Sequence, residues 1–391
     1  MKNANPDTIL THAGCNPRAN HGIVNPPVYH ASTVLFPTVA ALDAAGHSFE
    51  GVRYGRIGTP TSHAFEEAVA RLEGGCKAVT APSGLAAITT AFLAFVSAGD
   101  HVLVTDSVYG PTRLFCTDIL KRMGVETEFY DPLIGEGIAR LIRPNTRIVF
   151  VESPGSLTFE VQDVPTISKA AKAAGALVMM DNTWATPLFF RPFDHGVDLS
   201  IHAATKYMVG HSDAMLGVIT TANADLWQQL KRSAVQLGTC AGPDDLYLGL
   251  RGLRTMGVRL RQHQETGIAL AQWLQRRPEV TRVLHPALPE DPGHALWRRD
   301  FTGACGLFAM ELKPSSDTAV AAFLDHMDLF GMGYSWGGFE SLILPTHPEK
   351  IRSATRWHSA GPLIRLHAGL EDVDDLIGDL DRGLARLVAA A

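Results

Sequence analysis

Three side chains of this chain stand where chemistry is easiest to imagine: Lys206, Asp181 and Arg365. Lysine is scarce here, nine residues against twenty-five arginines, and Lys206 follows an apolar run (Val197–Ile201) through the small residues Ala203 and Ala204. Taken alone, a lysine ending a strand is ordinarily a solvated surface group. An ammonium held against apolar walls behaves differently, because its charged form is disfavoured and more of it is a free amine near neutral pH. That is the property needed to form a Schiff base with an aldehyde cofactor such as pyridoxal phosphate (PLP). Asp181 closes the apolar run LVMMD; by itself it reads as a turn or capping aspartate, but paired with Lys206 it could keep a pyridine nitrogen protonated. Arg365 lies inside the apolar stretch LIRLH, where a guanidinium needs either an internal carboxylate or the carboxylate of a ligand.

The surrounding pattern must position these groups. Short β-rich runs (His101–Thr105, Arg147–Glu152, Leu177–Asp181, Leu199–Ala203) alternate with helical ones, and the runs lack polar alternation, as strands covered on both faces do. The spacing predicts an open α/β sheet of mostly parallel strands with its ligand beyond the carboxyl ends, where Tyr109, Ser153, Asp181 and Lys206 would share a rim. Tyr109 could stack on a ring or assist proton transfer, or simply pack over the sheet. Ser83, Gly84 and Leu85 enter a buried helix whose free N–H groups suit a phosphate, with Thr205 able to add a hydroxyl. Residues 1–57, broken by Pro26, Pro27 and Pro37, read as an extended arm ending in YGRIG; its Tyr54 and Arg56 could reach a neighbouring subunit, or Arg56 could be a plain exposed charge. We expect a PLP-binding α/β domain over 58–250 and a smaller α+β domain over 251–391, closed by an amphipathic helix across Glu371–Val388.

Composition removes other classes. A 391-residue chain, 46% hydrophobic and 19% charged, is globular; a net charge of -6 gives no basic excess for nucleic acid or anionic membrane. The five cysteines, Cys15, Cys76, Cys116, Cys240 and Cys305, form no CxxC pair, so neither a disulfide framework nor a metal cluster is expected. Ala78–Gly99 is uncharged, but Pro82–Gly84 breaks it, which leaves a buried core helix rather than a membrane span. No export signal is read in Met1–Cys15, so a cytoplasmic setting is expected. Neither GxGxxG after a strand nor GxxxxGK[ST] occurs, which argues against a nucleotide-dependent oxidoreductase.

Several longer phrases occur in order: THAG at Thr11, NPPVYHAST at Asn25, YGRIGTPT at Tyr54, LEGG at Leu72, DNTWATPL at Asp181, ATKYMVGHSDAM at Ala204, RGLRTMGVRLRQH at Arg251 and ESLILP at Glu340. Together they resemble the Cys/Met-metabolism family of PLP enzymes over nearly the whole chain. DPLIG at Asp131, YSWGGFESL at Tyr334 and GLEDVDDLI at Gly369 resemble its bacterial cystathionine β-lyase branch, whereas γ-lyases usually carry leucine in place of Trp336. Pro111 stands where methionine γ-lyases have a reactive cysteine. The resemblance implies an aspartate aminotransferase-like (fold type I) architecture. It implies Lys206 as the Schiff-base lysine, Asp181 as partner of the ring nitrogen and Tyr109 as the stacking tyrosine. Ser83, Gly84, Leu85, Ala203 and Thr205, with Tyr54 and Arg56 of an adjacent subunit, would hold the cofactor; many relatives have serine at Ala203. Tyr54, Tyr109, Ser335, Trp336 and Arg365 would face the substrate. The implied reaction is α,β-elimination of L-cystathionine to homocysteine, pyruvate and ammonia, in a homotetramer built as a dimer of dimers. The alternatives within the family are a cysteine desulfhydrase, a γ-lyase or a γ-replacement enzyme; outside it, a non-catalytic PLP-binding regulator.

Overall fold

A computed structural model describes residues 4–46 and 48–391; residues 1–3 and 47 of the expected arm lie outside the described residues. Its centre is a seven-stranded sheet of β1 (Lys77–Ala81), β2 (His101–Thr105), β3 (Glu126–Tyr130), β4 (Thr146–Glu152), β5 (Leu177–Asp181), β6 (Leu199–His202) and β7 (Gly217–Thr221). The strand order is β1-β7-β6-β5-β4-β2-β3. Strands β3, β2, β4, β5 and β6 run parallel, while β7 is antiparallel to both β6 and β1. The mostly parallel sheet expected from the alternation is therefore present.

Side-chain alternation explains why these runs are apolar throughout. Ile148 and Phe150 of β4 enter one core with Met179, Leu199 and Ile201, while Val149 and Val151 enter the opposite core with Val178 and Met180. The first core is roofed by α4 (Gly84–Phe95), α5 (Gly110–Leu114) with its π-helical continuation Phe115–Leu120, and α8 (Ala224–Leu237). The second is roofed by α3 (Pro60–Glu73), α6 (Val164–Ala173) and the 32-residue α9 (Pro243–Leu274). Helix α3 opens with a Thr59–Ser62 capping box and stops at Gly74, which adopts the left-handed conformation expected there. Helix α4 spans only 12 residues and has Ile88, Phe92 and Phe95 buried, so the uncharged stretch divides into the end of β1 and a core helix. No helix of the described residues is long and apolar enough to cross a membrane.

The smaller sheet is antiparallel, in the order β10 (Leu342–Thr346), β11 (Leu363–His367), β9 (Leu307–Leu312), β8 (Val280–Leu284). Phe308, Met310, Ile364 and Leu366 pack beneath α11 (Asp317–Leu324) and α12 (Val373–Ala389), on the stripe Leu376, Leu380, Leu384 and Leu387. Leu307, Ala309 and Leu363 face the other way and join the core of the large sheet, so the two sheets share one hydrophobic seam. Helix α9 spans the expected domain boundary at 250/251. Two shorter helices, α7 (Thr186–Phe189) and α10 (His294–Asp300), complete the linking segments.

The expectation of an extended arm needs correction in part. It contains α1 (Pro6–His12), a 3-10 turn at Pro17–Ala19 and α2 (Val39–Ala45). Pro6 and Pro17 open α1 and the 3-10 turn, where the missing N–H is unneeded, whereas Pro26, Pro27 and Pro37 lie outside any helix, as expected of breakers. The rest of the described segment is irregular, and its Ile23, Val24 and Leu35, like Leu42 on α2, are all more than half exposed.

Candidate active site

The order of the sheet decides what meets at its carboxyl edge. Strands β2, β4, β5 and β6 are consecutive neighbours, and Glu152 pairs in register with Asp181, which pairs with Ile201. The segments leaving these ends carry Tyr109, Glu152, Asp181 and Lys206, so residues nearly a hundred positions apart share one rim. After His202 the chain turns tightly: Lys206 N donates to the Ala203 carbonyl at 3.0 Å, and Gly210 N to the Lys206 carbonyl at 2.8 Å. Arg259, reaching from α9, donates to the Tyr207 carbonyl at 2.8 Å and fixes the turn from behind.

Lys206 Nζ donates to Ser335 Oγ at 2.5 Å and lies 5.3 Å from the centre of the Trp336 ring. Burial lowers its pKa from 10.5 to about 8; the Arg365 guanidinium lowers it too, and Asp181 opposes them. An appreciable fraction is therefore neutral amine near physiological pH. Asp181, 9% exposed, is pushed up by burial while hydrogen bonds from Thr183 hold it back. Both of those bonds, from Thr183 N at 3.0 Å and Thr183 Oγ1 at 2.5 Å, fall on Oδ1, which leaves Oδ2 free to face a cation. Thr183 Oγ1 also accepts from Ala203 N at 2.9 Å, so one threonine ties the aspartate strand to the lysine turn.

Arg365 lacks a charged partner among the described residues; its Nη2 donates to the Ser335 carbonyl at 2.9 Å. The internal salt bridge left open by the sequence is thus not made. Burial lowers this guanidinium to about 10, with Tyr109 acting in the opposite direction. Tyr109 immediately precedes α5 and is 43% exposed; desolvation, followed by the charges of Asp181 and Glu152, raises its pKa.

The expected phosphate cradle is also assembled. Ser83 caps α4 by accepting from Ala86 N at 3.1 Å, leaving the N–H groups at the start of the helix facing outward. Gly84 lies against Ala203: a Cβ built on it would come within 2.4 Å of the Ala203 Cβ, so that corner admits only glycine. Thr205 Oγ1 accepts from Leu216 N at 2.9 Å and lies 3.1 Å from the Leu216 carbonyl, so a phosphate would compete for its proton. The residues present fit PLP: a depressed-pKa amine, a buried carboxylate with one open oxygen, and a helix N-terminus cleared of side chain.

Tyr54 and Arg56 do not join this group within one protomer. Arg56 Nη1 donates to the Val235 carbonyl on the protomer's own α8 at 2.5 Å, and its guanidinium sits 5.8 Å from the Tyr54 ring. Ser153 is likewise turned away, fully buried and accepting from Gln162 N at 3.0 Å. Two participants escaped the sequence reading. Glu152 accepts the Tyr109 N–H at 2.8 Å, and burial, together with Asp181 beside it, raises its pKa well above the usual carboxylate range. Asp106 accepts from Ser353 N, Thr355 N and Arg113, and so pins the segment before β11 to the loop that carries Tyr109. The signal for Glu152 was available, since RIVFVE ends in a carboxylate just as LVMMD does.

What the two sheets share out between them is the working surface of an aspartate aminotransferase-like, fold type I, PLP-dependent enzyme. More narrowly, the chain belongs to the Cys/Met metabolism PLP-dependent enzyme family, which it matches over residues 7–385. It is similar to the cystathionine β-lyase of Escherichia coli K12, 48% identical over 390 residues covering 98% of each chain. It is also similar to an L-alanine/L-glutamate racemase of Wolbachia pipientis, 43% identical over 394 residues covering 97% of each. Among solved structures it resembles a cystathionine γ-synthase of Xanthomonas oryzae pv. oryzae, with a TM-score of 0.91, 33% identity and complete coverage of both chains. The cofactor is pyridoxal phosphate, and the chemistry of the family lies at carbon–sulfur bonds.

Proposed function

We propose that this enzyme performs α,β-elimination on L-cystathionine, releasing homocysteine, pyruvate and ammonia in methionine biosynthesis. The observation that carries the reading is the unpaired Arg365 guanidinium, joined through Ser335 to the Lys206 amine and set against Trp336. An α-amino acid offers Arg365 a carboxylate for a bidentate pair and brings its Cα proton toward Lys206. Pyridoxal phosphate, when bound, supplies an aldehyde for the substrate amine and a ring that accepts the electron pair left at Cα. Asp181 would hold the proton on the ring nitrogen, Ser83, Gly84, Leu85, Ala203 and Thr205 would line the phosphate and ring, and Lys206 would take the Cα proton. As the Cβ–S bond breaks, the thiolate receives a proton from the Lys206 ammonium or the Tyr109 hydroxyl, both within the same rim. Hydrolysis of the remaining three-carbon fragment gives pyruvate and ammonia.

The working form in this reading is a cytoplasmic homotetramer, a dimer of dimers in which Tyr54 and Arg56 complete a neighbour's site. The engagement of Arg56 by Val235 on α8, and the exposed apolar side chains of the arm, support it. A second reading is favoured by the 43% identity to a protein named as a racemase, since removal of a Cα proton by Lys206 would begin that reaction too. Incubation of the holoenzyme with L-cystathionine, and separately with L-alanine, separates the two. Pyruvate with homocysteine supports the proposal; 2-oxobutyrate with cysteine, or D-alanine formation without keto acid from cystathionine, overturns it.

A further inference from the structure

Strand β11 carries two polar side chains on an otherwise apolar run, Arg365 and His367, and residues two apart on a strand share a face. His367 is fully buried, and both ring nitrogens are committed to the loop that bears Ser335 and Trp336. Nε2 lies 3.0 Å from Gly337 N, and Nδ1 lies 3.1 Å from the Glu340 carbonyl. A carbonyl can only accept and a backbone N–H can only donate, so the two bonds together require the neutral ring with its proton on Nδ1. Protonation would set Nε2–H against Gly337 N–H. Burial, with His263, Arg365 and Lys206 nearby, holds this imidazole well below its usual pKa and keeps the acceptor in place.

The bond falls where the loop needs it. Ser335 has φ +81, a left-handed conformation that residues bearing a side chain rarely adopt, and Gly337 has φ +86. A Cβ on Gly337 would stand 3.0 Å from the Lys206 carbonyl carbon and Tyr207 N, so this backbone rests directly on the lysine turn. The Ser335–Gly337 segment is held at one end by Arg365 on the Ser335 carbonyl and at the other by His367 on Gly337 N. We infer that His367 is a positioning residue, which through its acceptor on Gly337 N–H keeps Ser335 and Trp336 in register with Arg365 so that a substrate carboxylate meets a preformed pocket. This rests on the reading that the substrate is an amino acid whose carboxylate pairs with Arg365.

The test compares the holoenzyme with His367→Gln, whose amide oxygen can replace Nε2 as acceptor, and His367→Leu, which has none. KM and kcat are measured with L-cystathionine. Binding is measured with 3-(methylthio)propionate, which has the thioether and carboxylate but no amine, and inhibition with 2-(methylthio)ethylamine, which has no carboxylate. The Leu variant is expected to weaken propionate binding and raise KM by roughly 10- to 100-fold, the loss of a buried backbone acceptor. The Gln variant should stay within about threefold of the parent, and the amine should bind all three alike. If the Leu variant does not fold, His367→Asn, which keeps a donor near Nδ1 but nothing at Nε2, takes its place with the same expectation. Equal propionate binding by parent and Leu variant, or equal losses for propionate and amine, overturns the inference. A parent that does not bind the propionate at all overturns instead the assignment of Arg365 to the substrate carboxylate.

Discussion

Glu152 offers the sharpest test of how the rim is held, because the structure assigns it a job that needs an acceptor and not a charge. Its Oε2 takes the Tyr109 N–H at 2.8 Å, and its raised pKa comes first from burial and then from Asp181, its register neighbour. With the Asp181 carboxylate alongside, a second negative charge would be costly, so burial and Asp181 together favour the neutral carboxyl of Glu152. Glu152→Gln preserves an acceptor of the same reach and should leave kcat/KM within about threefold. Glu152→Ala leaves the Tyr109 N–H without a protein partner, a loss of about 1–3 kcal/mol, equivalent to about 5- to 150-fold in kcat/KM if it is expressed wholly in the transition state. The same carboxyl also governs stability. Its folded pKa lies above the ordinary 4.5, so between the two values the folded state holds a proton that the unfolded state has released. Its contribution is full below about 4.5 and is lost as the pH climbs toward the folded value, whereas glutamine has no such dependence. Denaturation of parent and Gln variant at pH 5 and pH 8 should therefore show the variant gaining relative stability at the higher pH. A Gln variant as inactive as the Ala variant, with no such gain, would refute the neutral-acceptor account and make Glu152 a working anion.

Two further outcomes follow from the same geometry. Capture of added PLP by apoenzyme, followed by its visible absorbance, should accelerate with pH through about 8 as the Lys206 ammonium gives way to amine, and Arg365→Leu should move that midpoint upward by removing a neighbouring positive charge; a parent midpoint near 10.5 contradicts the buried environment. Co-refolding inactive Arg56→Ala with inactive Lys206→Ala should restore a substantial fraction of parental activity, because a mixed dimer contains one site with both residues intact; no recovery, with mixed dimers demonstrated, would show that Arg56 serves its own protomer.

Legibility in the sequence followed the strength of local constraint. Strands buried on both faces, such as HVLVT and LVMMD, are apolar without interruption and were visible at once, as were the long helix α9 and the stripe of α12. Strands β3 (ETEFY) and β8 (VTRVL) sit at sheet edges and are partly exposed, so their mixed polarity hid them; β1 is likewise an edge strand, paired only with β7, which pairs with β6 on its other side. The same division runs through the site. Lys206, Asp181 and Arg365 stand out because each breaks an apolar pattern with a charge whose burial needs a reason. His367 breaks the same pattern two residues after Arg365, yet a histidine in a core needs no external ligand, and only the fold reveals that both of its nitrogens serve one loop. The unusual backbone of Ser335 could not be read at all, since serine has no general preference for φ +81. The residue lies at the junction of the two sheets, between Arg365, which donates to its own carbonyl, and His367, which accepts from Gly337 N two residues on.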